Sequence, residues 1–339
     1  MRESLPLLLI LSSLACSVES TPDDAGSALD AGSDGGPSFD PRAVRWETIE
    51  LGEVSPDPSW GAMVADLGDG TAVLIGGTSA GSTGGRVYDS AFRIDARGAA
   101  VIATEIVPSS ASAPAPRYCG CATWDAARSR VIVVGGRDLT GPFLAGETWA
   151  LDPESGAWSL LADAASTPPG VIGCAMAHSR SRGATYLFGG GGAGGFTDTT
   201  WRLDPESDAW TQLTIAGESP SARYDAVMLP VDGGARLVLH AGSFGATGGA
   251  FFSDVWTFDV ASESWAEQRA EGAEPRGRRA PWSRLDPTGG GFYAGMGYDF
   301  AMEPVDDLWH FDLATRRWTA IELDVDPGAR GFAPALPAG

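Results

Sequence analysis

The side chains that could do chemistry in this chain are few and far apart. They are three histidines (His178, His240 and His310), four cysteines (Cys16, Cys119, Cys121 and Cys174) and the arginines Arg117, Arg223, Arg278, Arg279 and Arg330. The histidines fall at different places in the local pattern, so they are not expected to converge on one metal ion. No histidine or second cysteine pair accompanies the cysteines at zinc-ligand spacing. Asp163, Asp198 and Asp306 lack the regular spacing of a calcium loop. The run Gly189–Gly195 is not followed by the Lys-Ser/Thr of a phosphate loop. No Ser-His-Asp arrangement can be assembled. The arginines remain, and a guanidinium fork suits bidentate capture of a carboxylate. The expectation is binding rather than catalysis, with no metal and no cofactor.

These arginines are placed by a repeat. Trp149-Ala-Leu-Asp152, Trp201-Arg-Leu-Asp204, Trp256-Thr-Phe-Asp259 and Trp309-His-Phe-Asp312 each lead, after a five-residue gap, to a second tryptophan: Trp158, Trp210, Trp265 and Trp318. Upstream stand Gly135-Gly136, Gly189-Gly190, Ala241-Gly242 and Met296-Gly297, and a weaker copy combines Gly76-Gly77 with Phe92-Arg-Ile-Asp95. The copies recur every 52 to 55 residues, a period that belongs to an array of four-stranded blades. In the second copy the expected strands are 118–124, 130–136, 148–151 and 157–161. Asp-Pro-Glu-Ser at 152–155 and 204–207 makes a tight turn between third and fourth strands. The paired glycines end the second strand and release a long loop. Tryptophans repeating at strand-matched positions are expected to pack between neighbouring blades.

This pattern resembles the kelch repeat, whose blades form β-propellers, over residues 44–330. The resemblance implies an all-β fold of four-stranded blades, five recognisable repeats and an incomplete sixth. Arg45-Trp46-Glu-Thr-Ile-Glu-Leu51 reads as a stray fourth strand and Pro327–Phe332 as the opening of another repeat. A five-bladed ring is the alternative. Because open sheet edges invite aggregation, the end strands are expected to meet. Propellers of this family bind ligands on the loops after the second strand and before the first. In kelch substrate receptors, arginines at the start of blades grip acidic peptides. The matching residues here are Arg117 and Arg223, with Arg278 and Arg279 less securely aligned. The competing reading is that each arginine bonds a carbonyl or an Asp of the next blade.

A net charge of −21 argues against nucleic acid and against simple docking on anionic lipid. Residues 1–15 read as an export signal, with Arg2 before an apolar run too short to span a bilayer. Ser13-Leu14-Ala15-Cys16 looks like a bacterial lipobox, although Ser13 stands where Leu is usual, and plain secretion is the alternative. Residues 16–43 then form a lipidated Cys16 on a disordered Ser/Gly/Asp-rich tether, and 44–339 the propeller. Exported cysteines can oxidise. The candidate bridge is Cys121 to Cys174, with Cys119, expected on the same strand face as Cys121, as the alternative partner.

The expected function is that of a monomeric cell-envelope binding or scaffold protein, attached to the membrane only through its lipid and recognising a protein segment or a glycan. A carbohydrate-active enzyme of the galactose-oxidase or sugar-epimerase kind, or an inert surface protein, is the alternative. The copper ligands of galactose oxidase cannot be assembled from this sequence. Glu303–His310 resembles the iron-ligand run of nitrile-specifier kelch proteins, but its Asp-to-His spacing is one residue short.

Overall fold

Each repeat folds into an antiparallel meander because three short turns separate four β-rich runs. In the computed structural model of the chain, the described residues are 15–18 and 44–47, as backbone, and 60–322 apart from 80–84, 98–100, 140–145, 164, 170–171, 193, 246–248 and 302. Five four-stranded sheets form the blades of a propeller ring. Their innermost strands are Met63–Asp66, Cys121–Asp125, Ala175–Ser179, Val227–Val231 and Trp282–Leu285. Their second strands are Thr71–Ile75, Arg130–Val134, Ala184–Phe188, Arg236–His240 and Gly291–Gly295. The second strands are sandwiched on both faces, which is why they read as unbroken apolar runs rather than alternating ones; Val131, Ile132, Val133 and Val134 are all fully buried.

The aspartate of each Trp-x-x-Asp phrase fixes the outermost hairpin. Asp152 accepts the amides of Glu154 and Ser155, and Asp204 and Asp259 do the same for the residues two and three ahead. Because these bonds favour the ionised carboxylate, the three side chains are held below the ordinary aspartate range.

The paired tryptophans pack against the preceding blade. Trp149 and Trp158 close on Met63, Val73, Ile75 and Ala91 of the first blade, and Trp256 and Trp265 on Tyr186 and Phe188 of the third. A buried indole N–H also needs an acceptor. Trp210 donates to Thr148 Oγ1 at 2.8 Å, and Trp265 to Thr200 Oγ1 at 3.0 Å. In both cases the threonine begins the third strand of the preceding blade. At the corresponding position facing Trp318 the chain has Val255, and Trp318 Nε1 is buried without a hydrogen-bond partner. Replacing Val255 by the nearly isosteric threonine is therefore expected to stabilise the protein by about 1 kcal/mol. Urea unfolding would show it as a raised midpoint at unchanged slope, and no gain would reject this account of the threonine.

The ring is drawn together near its axis just before each innermost strand. Gly61, Cys119, Gly173, Asp225 and Ala280 all take left-handed backbone, with φ between 48° and 66°. Cys119 N donates to Gly61 O, Gly173 N to Cys119 O, Asp225 N to Gly173 O and Ala280 N to Asp225 O, at 2.6 to 2.9 Å. These bonds tie successive blades into an axial neck.

Three expectations about the ring and its cysteines need correction. No sixth blade is present among the described residues, because the fifth completes itself with Leu308–Asp312 and Arg317–Ile321. Val44–Glu47, read as part of a strand that would meet the C-terminal blade, pairs instead with Ala15–Val18. The run 327–332, the bulk of the export signal and the tether from 19 to 43 lie outside the described residues. The disulfide joins Cys121 of the second blade to Cys174 of the third, with Cα atoms 5.9 Å apart. Cys119 does not share a strand face with Cys121, because its left-handed conformation turns it into the neck ahead of the strand, and its thiol is free.

Candidate functional site

Arg117, Arg223 and Arg278, expected on the ligand-binding face, are interior residues whose side chains are 0 to 1% exposed. Each occupies the same socket. Arg223 donates Nε to Ser221 O, Nη1 to Ala241 O at the end of the second strand, and both Nη atoms to the carboxylate of Asp254 at 2.5 and 2.8 Å. Arg278 repeats this with Met296 O and Asp307, and Arg117 with Gly135 O and Glu147. The acid also accepts the first tryptophan of its blade, as Trp149 to Glu147, Trp256 to Asp254 and Trp309 to Asp307. These arginines lock the start of a blade to its own long loop and present nothing to a ligand. The sequence carried a signal for this, since arginine and acid occur together. By sequence spacing the third repeat carries Val171 and Thr199 at the corresponding positions, and Trp201 bonds the Thr199 hydroxyl instead. The same contacts account for Asp307 in the run 303–310, where it is a loop clamp.

The fourth expected residue, Arg279, does reach the mouth of the ring. There the residues one step before the neck, Trp60, Tyr118, Ile172, Tyr224 and Arg279, bridge to Thr78, Arg137, Gly191, Ser243 and Tyr298 at the start of the long loops. They form a rim rich in aromatic surface. Phe196 stacks on Tyr224 with centroids 4.8 Å apart and meets Phe244 edge-on, and Trp60 stands against Tyr118 at 5.1 Å. Trp60 is 38% exposed and Phe244 46%. Two guanidiniums lie over this surface. Arg279 covers Tyr224 at 5.4 Å and Tyr298 at 6.0 Å, and Arg137 covers Tyr118 at 5.4 Å, separations at which a cation is attracted to the ring face. Among the described residues Arg137 has no carboxylate partner, and its Nε is buried without a hydrogen-bond acceptor. Sequence reasoning passed over Arg137, although Gly135-Gly136-Arg137 places it at the base of a long loop.

Beneath the rim, two side chains project into the neck. Asp225 is 8% exposed, with Arg279 Nε 3.9 Å from its carboxylate. Burial pushes its pKa up to about 7, against the pull of Arg279. Cys119 is pushed up to about 12, first by burial and then by the Asp225 charge, with Arg137 and Arg279 acting the other way. A thiol so strongly held in the neutral form is a poor nucleophile. The glycines of the neck make room for both groups, since a Cβ on Gly61 would stand 2.8 Å from Cys119 Sγ and one on Gly173 2.3 Å from an Asp225 carboxylate oxygen.

The histidines sit in three different blades. His178 bonds Thr185 and lies 3.6 Å from Asp125, and His310 pairs with Asp286 at 2.9 Å. His240 is buried on Asp254 O beside Phe292 and Trp318, and burial lowers its pKa to about 4. Among the described residues no three His, Cys, Asp or Glu side chains gather where a metal ion could be held, and no helix is long and apolar enough to cross a membrane.

Five four-stranded blades, a left-handed neck and tryptophans wedged between blades define a β-propeller of the kelch class. Residues 72–283 and again 186–334 match the KLHDC2/KLHL20/DRC7 Kelch-repeats domain. The two matches begin in the second strands of the first and third blades, as an internally repeated chain requires. The chain belongs to this family, and kelch propellers generally bind proteins.

Proposed function

We propose that this propeller binds a protein segment on its long-loop face, and that the segment is acidic. The observation that carries the reading is the aromatic rim crossed by Arg137 and Arg279 at the mouth of the ring. Aromatic faces supply contact area at low entropic cost, and a guanidinium already held over a ring is pre-organised for a carboxylate. The segment reaches this rim, while Arg117, Arg223 and Arg278 hold the loops that shape it.

We further propose that the protein lies outside the cytoplasm, anchored through Cys16 as the Ser13-Leu14-Ala15-Cys16 run suggests. The disulfide between Cys121 and Cys174 supports an oxidising compartment.

An array of acidic and neutral peptides tests the reading. The intact chain is compared with an Arg137→Glu/Arg279→Glu variant and with Arg86→Glu, an exposed arginine over Tyr88 on the same face. Acidic peptides are expected to bind wild type and Arg86→Glu, with at least about a tenfold loss in the double variant. Absence of acidic binders, or their retention by the double variant, would reject the assignment.

A further inference from the structure

The neck divides the axis into two compartments. Below it, on the side away from the aromatic rim, is a cavity of about 870 Å³ walled by all five innermost strands. Its lining runs from Ala62 and Gly120 down to the turns at Gly68, Arg180, Asp232 and Pro287, and includes none of the rim residues. The cavity therefore opens among the tight turns between first and second strands, opposite the face on which the long loops gather. Its size lies within the range of small-molecule sites.

Part of its wall is apolar. Val64, Ala122, Trp124, Leu229 and Leu285 line it and are each only partly buried, their remaining surface being turned to the axis. Thr123 and Arg284 also line it, and two strongly buried polar atoms of the lining residues lack a hydrogen-bond partner, Ser283 Oγ and His178 Nε2, on residues 7% and 5% exposed. At the mouth, Arg180 reaches from the third blade to the first. A Cβ placed on Gly68 would lie 2.9 Å from its Nη2, and the glycine leaves the guanidinium that space. The neighbouring cations are already committed, Arg128 and Arg130 to Asp125 and Arg236 to Asp232. Among the described residues Arg180 forms no ion pair.

A chamber with aliphatic and aromatic panels, polar groups between them and an uncommitted guanidinium at its opening suits an amphiphilic molecule. We propose that the axial cavity is a second binding site, separate from the rim, for a small amphiphile with an apolar body and a single carboxylate. The body occupies the chamber against Val64, Trp124, Leu229 and Leu285, and the carboxylate pairs with Arg180. The neck, with its four backbone hydrogen bonds between successive blades, bounds the inner end. Separation by the neck makes the two sites independent, so this inference does not rest on the peptide reading.

Equilibrium dialysis of the intact chain against dodecanoate, with dodecan-1-ol as the uncharged counterpart, tests it. Saturable binding of dodecanoate at one molecule per chain is expected. Arg180→Gln, a change at an exposed position, is expected to weaken dodecanoate about tenfold, the loss of one charge-assisted contact, and to leave dodecan-1-ol unchanged. Val64→Asp should abolish both, provided its β-sheet spectrum is that of wild type. The Arg137→Glu/Arg279→Glu variant should bind dodecanoate as wild type does. Failure of dodecanoate to saturate, or equal affinity in wild type and Arg180→Gln, would overturn the proposal. So would loss of binding in the rim variant.

Discussion

Replacing Asp254 by asparagine is expected to destabilise the propeller by about 3–5 kcal/mol, more than replacing Arg223 by methionine, for which about 2–3 kcal/mol is expected. The asymmetry follows from where the two charges lie. The Arg223 side chain has no exposed surface, whereas Asp254 keeps 23% of its own. Without the carboxylate, a guanidinium is left charged in the interior with only carbonyls and the face of Phe252, 4.0 Å away. Without the guanidinium, the carboxylate can still take a bond from Trp256 and reach water. The double variant Arg223→Met/Asp254→Asn should recover much of the loss, because it buries neither charge alone. Urea midpoints for the three variants decide the matter. If Arg223→Met unfolds at the wild-type midpoint, the residue is not the clamp described above and its role as a ligand contact reopens.

At pH 8.5 the substitution Asp225→Asn should stabilise the protein by about 2–4 kcal/mol, and at pH 5 by less than half as much. Asparagine tolerates the left-handed backbone at this position, so the change removes the charge and little else. Burial raises the Asp225 pKa from 3.8 to about 7. A raised folded-state pKa contributes stability that is complete below the unfolded value, declines as pH rises, and is gone above about 7. Above that pH the wild-type neck holds an ionised carboxylate relieved only by Arg279, with Cys119 as its other titratable neighbour. His240 acts in the opposite direction. Its pKa is lowered to about 4, so its contribution is complete above about 6.5 and is lost as pH falls toward 4. The two windows overlap, and in wild type they offset one another. The asparagine variant should therefore lose stability on acidification below about pH 6.5 more steeply than wild type. Thermal unfolding across pH 4.5 to 9 would reveal this, and a variant no more stable than wild type at pH 8.5 would remove Asp225 as a source of strain in the neck.

The architecture was legible because it is written locally and repeated. Strand-forming runs, Asp-led turns, glycine pairs and two tryptophans per repeat each specify a short-range geometry, and four good copies suffice to read the blade. The strands expected over 118–161 lie within a few residues of those observed. Even the arginine clamp was written there, in the pairing of Arg223 with Asp254 and of Arg278 with Asp307 and in the absence of both partners from the third blade. What pointed the other way was the chemistry of arginine itself, which reads as a carboxylate grip whether the carboxylate belongs to a ligand or to the same blade.

The sequence by itself determined the blade, its internal packing and the period that stacks one blade on the next, since each depends on residues within about fifty positions of one another. Only the tertiary structure decided which groups meet on the axis. Trp60, Tyr118, Tyr224 and Arg279 come from four different repeats, and nothing in their spacing tells that they share one rim. The same holds for the five left-handed residues of the neck, for Cys121 rather than Cys119 bonding to Cys174, and for Arg180 reaching Gly68 across the mouth of the cavity. Local propensity fixes how a blade folds. The rotation from one blade to the next, set by tryptophans and aliphatic side chains packed between twisted sheets, fixes where the blades converge, and the candidate sites exist only at that convergence.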